Sequence, residues 1–197
     1  NRQAIVMNDG WLHFFGGNNS VGQHDFEPEN FLSSGHRLSL ADLRWHEGTD
    51  YPAARQTIQT CMDDAGNAYA IGGFGHDGEV ARTWTDGYRY DMETRTWSDD
   101  GPDLPVARSQ FGLVEHDGRM WVFGGLDYDP KRAEGDQFRH LTEVVTATPG
   151  NDFRLGGNEA PPAVASLHLG EALTCFLDDC FAGHSASEHE EQRERAG

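Results

Sequence analysis

Three pairs of adjacent glycines in this chain of 197 residues each stand at the end of a short apolar segment and share a spacing, and a fourth pair, Gly156-Gly157, does not follow that spacing. The three pairs begin at Gly16, Gly72 and Gly124, so they lie 56 and 52 residues apart. An aromatic residue follows each pair at a similar distance, and these residues are Trp45, Trp97 and Phe153. Features that share a period of about 50 residues predict tandem structural units that stack on their neighbours.

The pattern inside one unit indicates antiparallel strands. Residues 111–116 and 120–123 are mostly apolar, and Asp117-Gly118 between them is typical of a two-residue hairpin turn. Two more strands are expected around 88–91 and 95–97, joined by a short turn. The glycine pair allows a positive φ or the close approach of another strand. Each unit is therefore predicted to be a four-stranded antiparallel sheet with one long loop after the glycine pair.

A fuller motif is visible in the second unit, where the glycine pair is followed by Tyr90-Asp91, Trp97, Pro105 and Arg108. The first unit has Leu38-Ser39 at the Tyr-Asp position, and the third has Thr146-Ala147 there and Phe153 at the Trp position. This succession resembles the kelch repeat over about residues 1–162. The resemblance implies an all-β fold, a kelch-type β-propeller segment of about three four-stranded antiparallel blades plus a degenerate fourth piece.

The expected organisation is three kelch-like blades, at about residues 1–52, 53–105 and 106–162. Residues 163–184 are expected to form a degenerate half-blade, and residues 185–197 a charged tail that is disordered or helical. Closed propellers have about four to eight blades, so three blades predict a fragment of a longer protein or an assembly that closes the ring jointly. Open blade edges and faces favour association.

The charge of the chain limits its partners. It carries 33 acidic and 15 basic residues, a formal net charge of −18. Such a chain repels phosphate backbones, so we expect no nucleic acid partner. No apolar run reaches the roughly 18 residues that cross a bilayer, so we expect no membrane partner either. The three cysteines are too few for a disulfide framework and favour a cytoplasmic location.

One cluster near the end of the sequence has residue types that bind zinc. Cys175 and Cys180 are followed by His184 and His189. Only three residues separate the second cysteine from the first histidine, whereas a zinc finger uses a longer turn. Two buried thiols explain the spacing equally well. We therefore expect no metal and no cofactor.

Two arginines occupy the last place of a Pro-x-x-Arg motif at the start of an inner strand. These are Arg55 and Arg108. The kelch resemblance implies that residues there reach the mouth of a central channel, where ligands bind. A guanidinium can bind a carboxylate through two parallel hydrogen bonds. The alternative is that both arginines pair with neighbouring acids such as Asp103, or with carbonyls between blades.

The loops after the glycine pairs span residues 18–35, 74–87 and 126–140 and differ in length and content. Variable loops on a constant frame are typical of partner recognition, although solvated connectors would have the same composition. The candidate contact residues in these loops are Asn18, Asn19, His76, Asp77, Asp127 and Tyr128.

The function predicted from the sequence is a non-catalytic protein-binding scaffold or adaptor that recognises its partner through these loops and the channel mouth. The chain has no nucleophile elbow, phosphate-binding loop or metal-binding histidine motif, which argues against an enzyme. The alternative is an enzyme or small-sugar-binding kelch propeller whose site needs blades missing from this chain. Kelch propellers include copper oxidases and sugar isomerases.

Overall fold

The computed structural model describes residues 1–20 and 26–156. These residues form fifteen β-strands and one short 3-10 helix, Pro28–Asn30. The predicted half-blade at 163–184, the tail at 185–197 and the cluster from Cys175 to His189 lie outside the described residues. No helix in the described part of the chain is long and apolar enough to cross a membrane.

Twelve of the strands build three four-stranded antiparallel sheets. The first sheet contains β1 (Ala4–Asn8), β2 (Trp11–Phe15), β3 (Gly35–Ser39) and β4 (Trp45–Glu47). The second contains β6 (Gln59–Met62), β7 (Asn67–Ile71), β10 (Gly87–Asp91) and β11 (Thr96–Ser98). The third contains β12 (Gly112–His116), β13 (Arg119–Tyr128), β14 (Phe138–Ala147) and β15 (Arg154–Leu155). The prediction of an all-β fold made of four-stranded antiparallel sheets is confirmed.

The remaining three strands form a small separate sheet, made of β5 (Arg55–Gln56), β8 (Phe74–His76) and β9 (Ala81–Thr83), whose last strand packs beside β13. Part of the predicted second loop is therefore a hairpin. The third loop is also more ordered than expected, because β13 continues through Gly124 and Gly125 to Tyr128, with a register shift at the glycines. The extension pairs Tyr128 with Phe138, so the loop's backbone groups are satisfied by a ladder.

The strand register corrects one alignment made from the sequence. Tyr90 pairs with Ala68, four residues before Gly72, and Ala147 pairs with Met120, four residues before Gly124. Ala147, and not Thr146, therefore occupies the position of Tyr90. Side chains alternate between the two faces of a strand, so Ala147 is buried in the core as Tyr90 is.

Two apolar cores lie between successive sheets. Between the first and second sheets, Trp97 packs against Phe15, Tyr51 and Tyr90 with ring centroids 4.7–5.0 Å apart. Such tilted and edge-to-face contacts are favourable beyond the burial of area. The second core joins the second and third sheets, and its members are Tyr69, Ile71, Leu104, Phe111, Met120, Val122, Val145, Ala147 and Phe153. The second sheet is thus buried on both faces.

The glycine pairs join each sheet to the next. All six glycines have positive φ, close to 60° at the first position and 100–111° at the second. The Gly17 N–H donates to the Arg55 carbonyl at 2.6 Å, and the Gly73 N–H donates to the Arg108 carbonyl at 3.0 Å. A Cβ on Gly72 would stand 2.6 Å from the Arg108 carbonyl oxygen. Glycine is therefore required both by the backbone conformation and by the close approach.

The packing between the first and second sheets can be tested through the effect of pH on His13. Its side chain is buried beside Phe15 and Tyr90, and this burial, with the charges of Arg37 and Arg95, lowers its pKa to about 4. In an unfolded chain a histidine has a pKa of about 6.5. Folding therefore favours the neutral ring, and the free energy of unfolding should fall by up to about 3 kcal/mol as the pH drops from about 6.5 to 4.

The measurement is urea unfolding of the protein and of the His13→Gln variant at several pH values. We expect the difference in unfolding free energy between them to change across this range, because the variant lacks the titrating group. A constant difference from pH 7 to pH 4 would contradict the burial of a neutral His13.

Candidate functional site

The ends of the sheets that carry the glycine pairs form one surface, which we call the loop face. Three residues at equivalent places, just before the first strands of the three sheets, have positive φ: Arg2 at 56°, Thr57 at 52° and Gln110 at 54°. Residues other than glycine rarely adopt this conformation, and such strain often accompanies binding sites. The same unusual turn thus brings polar residues from each unit to the loop face.

A cavity of about 140 Å³ lies on the loop face. One part of its wall consists of residues that precede the inner strands, namely Arg2, Gln56, Ser109 and Gln110. The rest is apolar and comes from the loops after the glycine pairs, namely Phe26, Phe74, Leu126, Tyr128 and Phe138. All three repeat units therefore contribute to one cavity.

The aromatic residues of the cavity form a continuous row. Ring centroids are 5.0 Å apart for Phe26 and Phe74, 5.9 Å for Phe74 and Tyr128, and 4.4 Å for Tyr128 and Phe138. Phe74 is buried, whereas Phe26 and Phe138 are 46% and 58% exposed. The row thus has a buried centre and two exposed ends, which is the form of a contact surface.

Gln56 adds a polar group that lacks a partner. Its side chain is 2% exposed, and its Oε1 atom accepts no hydrogen bond within the part of the chain that the structure describes. An unsatisfied buried acceptor costs about 1–3 kcal/mol, so most buried polar atoms have a partner. Because Gln56 lines the cavity, a ligand there could supply the missing donor.

Arg55 is buried and already paired with an acid. Its two terminal nitrogens each donate to Asp86, at 2.7 Å, and Nη1 also contacts the Gly72 carbonyl at 3.3 Å. The guanidinium lies 4.4 Å from the centre of the Trp84 ring. Burial alone would raise the pKa of Asp86, but the hydrogen bonds and charge of Arg55 outweigh it and lower that pKa. Asp86 is therefore a carboxylate at neutral pH.

Arg108 has the equivalent arrangement in the third sheet. It is fully buried, and it donates to the Gly124 carbonyl and to Glu143, both at 2.9 Å. Burial lowers the pKa of Arg108, and Glu143 opposes that effect. The partners of the two arginines are thus Asp86 and Glu143, and not Asp103, which instead accepts the Gly87 N–H at 3.1 Å. A contact of either arginine with a ligand stays a prediction.

The first two loops place their predicted residues in different settings. Asn18 is fully buried, and its backbone bonds with Asn1, while Asn19 is exposed and donates its N–H to the Asn30 carbonyl at 3.1 Å. His76 and Asp77 lie at the turn of the small sheet. Asp77 forms ion pairs with Arg82 and Lys131. Backbone N–H groups of Val80 and Glu79 lower the pKa of Asp77.

The third loop contains the one predicted residue that lines the cavity, Tyr128. Its neighbour Asp127 is 1% exposed and accepts hydrogen bonds from Arg132 at 2.7 Å and from Thr83 at 3.0 Å. Asp127 therefore holds the loop against the small sheet. Partner binding by the predicted residues stays a prediction, but only Tyr128 among them shares the aromatic row.

Sequence reasoning missed most of the cavity: Phe26, Gln56, Phe74 and Phe138. A signal was present, because Phe26, Phe74 and Phe138 are apolar residues inside otherwise polar loops. Gln56 gave no signal, since an amide directly after Arg55 is unremarkable in a sequence.

A larger cleft of about 340 Å³ between the second and third sheets is less suited to binding, because three of its four acids already have partners. Asp100 accepts from Arg89 at 2.7 Å and from Ser98, and Asp152 accepts the Asp103 N–H at 3.1 Å.

Among the described residues no group of three or more His, Cys, Asp and Glu side chains could hold a metal ion. Burial raises the pKa of Cys61 to about 12, so its thiol is protonated.

Removing one or the other partner of the Arg108–Glu143 ion pair should lower the free energy of unfolding by different amounts. Glu143→Gln leaves the buried guanidinium without the carboxylate that it is paired with, whereas Arg108→Met leaves a carboxylate that is 31% exposed and can be hydrated. Breaking a buried pair costs about 3–5 kcal/mol when a charge is left behind, and less when an apolar group replaces it. Urea unfolding should therefore show a larger loss for Glu143→Gln. A larger loss for Arg108→Met would contradict this account.

Comparisons with known proteins support the fold. No protein-family model matches the chain. The solved structure of YjhT, a β-propeller protein, matches with a TM-score of 0.60 and 15% sequence identity over 82% of this chain. The chain spans about half the length of that structure, 52%. This likeness is one of fold, and it agrees with the β-propeller architecture predicted from the glycine repeat.

Two curated relatives match short segments. A glutamine synthetase of Butyrivibrio fibrisolvens is 42% identical over 50 residues, which is 25% of this chain and 7% of that protein. A type-3 glutamine synthetase of Dictyostelium discoideum is 46% identical over 39 residues, 20% of this chain and 5% of that protein. The chain spans only a small fraction of these relatives, so the matches do not extend to their whole folds.

Proposed function

We propose that this protein is a non-catalytic binding module, a kelch-type β-propeller segment that holds a partner protein at its loop face. The observation that carries the proposal is the aromatic row from Phe26 to Phe138, which comes from three separate loops and surrounds one cavity. Aromatic side chains with partly exposed rings are the residues that most often dominate binding energy at protein interfaces.

The arginines support this function indirectly. Each guanidinium is held by an acid and by a glycine carbonyl of its own repeat unit. We propose that Arg55 and Arg108 position Gln56 and Ser109, the residues that follow them and line the cavity. Their removal would then weaken binding through the shape of the loop face. Tyr128 is the predicted contact residue that we place in direct contact with the partner.

The test is capture and titration of a partner. A protein retained by the immobilised chain is identified, purified and titrated against Phe138→Ser and against the control Leu155→Ser. Phe138 and Leu155 are both large apolar side chains of the third sheet, and they are 58% and 69% exposed. Of the two, only Phe138 lines the cavity. We expect Phe138→Ser to weaken binding at least about tenfold, as for an interface hot spot, and Leu155→Ser to leave it unchanged.

Equal affinities for both variants would contradict a partner site on the loop face.

The alternative function is a small-sugar-binding or catalytic propeller, completed by further blades. It is favoured by the same cavity, since aromatic rings and a free amide oxygen also suit a sugar. Two results together would support this alternative: a monosaccharide binds the cavity saturably, and Phe138→Ser does not change the affinity for protein partners.

We also propose that the outer face of the first sheet associates with another sheet. Met7 and Trp45 on this face are 64% and 61% exposed. By strand register they correspond to Met62 and Trp97, which pack in the core between the first and second sheets. A face that is buried in the second unit is therefore exposed in the first, which is the condition for docking of a further blade-like sheet.

Association can be measured by sedimentation velocity over a concentration series. We expect the protein to self-associate, and more strongly at higher salt, because ions screen its net charge of −18. The double variant Met7→Ser, Trp45→Ser should be less associated. Leu43→Asn is the control, since Leu43 is 71% exposed but lies in the turn after β3. A monomer at every concentration would contradict this proposal.

A further inference from the structure

We infer that the cavity on the loop face receives one tyrosine side chain of the partner, whose hydroxyl donates a hydrogen bond to Oε1 of Gln56. This inference rests on the proposed function, because it names the group that a protein partner would insert. It adds a chemical specificity that the aromatic row alone does not have.

The size of the cavity limits the occupant to one ring. Its volume is about 140 Å³. An apolar protein cavity of about 150 Å³ takes up a single benzene molecule, whereas drug-sized ligands occupy pockets of about 300–1,000 Å³. An indole has two fused rings and exceeds this space. A phenyl or phenol ring fits it.

The walls of the cavity favour an aromatic ring. Phe74 is buried at its base, and Tyr128 stands 5.9 Å from it, centre to centre. Leu126 supplies an aliphatic surface. An inserted ring can therefore make edge-to-face contacts with two aromatic rings at once, and each such contact is favourable by about 0.5–1.5 kcal/mol.

The unpaired acceptor distinguishes tyrosine from phenylalanine. Gln56 is 2% exposed and its Oε1 atom has no hydrogen-bond partner among the described residues. A phenylalanine ring has no donor and would leave this buried oxygen unsatisfied. A tyrosine hydroxyl supplies the donor that the oxygen needs, and the hydroxyl oxygen can still accept a hydrogen bond from a neighbour.

The net charge of the chain, −18, favours basic neighbours of the tyrosine, even though Arg2 lines the cavity and Arg139 follows Phe138. Acidic residues stand beside the exposed aromatics of the cavity in the sequence: Glu27 after Phe26, and Asp136 two residues before Phe138. Both acids are exposed. Lys131 in the same loop is already paired with Glu79 at 2.6 Å. Lysine or arginine on either side of the inserted tyrosine would complement this charge and speed association.

The experiment uses the full chain and three blocked peptides, Gly-Lys-Tyr-Lys-Gly and its Phe and Ala counterparts. Affinities are measured by calorimetry or by NMR shifts of the protein. We expect the Tyr peptide to bind about fivefold more tightly than the Phe peptide, the effect of one hydrogen bond, and the Ala peptide to bind more weakly than both. In Gln56→Leu the Tyr preference should disappear while the Phe peptide still binds.

Circular dichroism checks that Gln56→Leu is folded, and Phe138→Ser, at an exposed position, gives a second variant that should weaken both ring-bearing peptides. Equal affinity for the Tyr and Phe peptides, or no peptide binding at all, would overturn the inference, as would displacement of all binding by a monosaccharide. If Phe138→Ser still weakens binding of the identified partner in those cases, the proposed function stands and only the insertion of a tyrosine is contradicted. If Phe138→Ser leaves the affinity for the partner unchanged, the proposed function is contradicted as well.

Discussion

The close backbone approach at the glycine pairs determines how the sheets are joined. Gly17 donates its N–H to the Arg55 carbonyl, and Gly73 donates to the Arg108 carbonyl. The side chains of the same two arginines then donate to the carbonyl of the first glycine of the pair in their own repeat unit, Gly72 or Gly124. Backbone and side chain thus alternate along a continuous series of links from the first sheet to the third. Since a buried polar group is stable only with a partner, each link depends on the next.

The same series of links builds the binding surface. Gln56 and Ser109 follow the two arginines directly, so their positions are set by the structural ion pairs with Asp86 and Glu143. The loops that begin at the glycine pairs then contribute Phe74 and the other cavity aromatics. A rigid frame of this kind allows the loops to differ in sequence while their ends stay fixed, which is how binding surfaces are commonly carried on a scaffold. The function we propose follows from this division between frame and loops.

Much of the frame could be predicted from the sequence, because its signals are local or periodic. The turn at Asp117-Gly118 has positive φ at both residues, as a two-residue hairpin requires. Trp97 lies in the core between two sheets, as its repeated spacing indicates. The alignment of Thr146 with Tyr90 was wrong by one residue, since the third unit lacks the Tyr-Asp landmark and only strand register identifies Ala147.

The site was less predictable, because it depends on contacts between residues far apart in sequence. Asp86 lies 31 residues from Arg55, and Glu143 lies 35 from Arg108, so no spacing rule identifies these partners. The unpaired state of Gln56 is a property of its three-dimensional surroundings alone. Tyr128 was recognised because it is an aromatic residue in a variable loop, whereas the same signal at Phe26 and Phe138 was not used.

The most direct test of the central constraint is a comparison of Gly72→Ala with Gly66→Ala in urea unfolding. The two glycines flank β7 and have positive φ, 61° for Gly72 and 86° for Gly66, but a Cβ on Gly66 meets nothing within 4 Å. Each variant bears the conformational strain, and only Gly72→Ala forces apart the contact with Arg108. We expect Gly72→Ala to lose about 1–3 kcal/mol more than Gly66→Ala, the usual range for an overpacked site. Equal losses would show that the close approach between sheets does not hold the structure together.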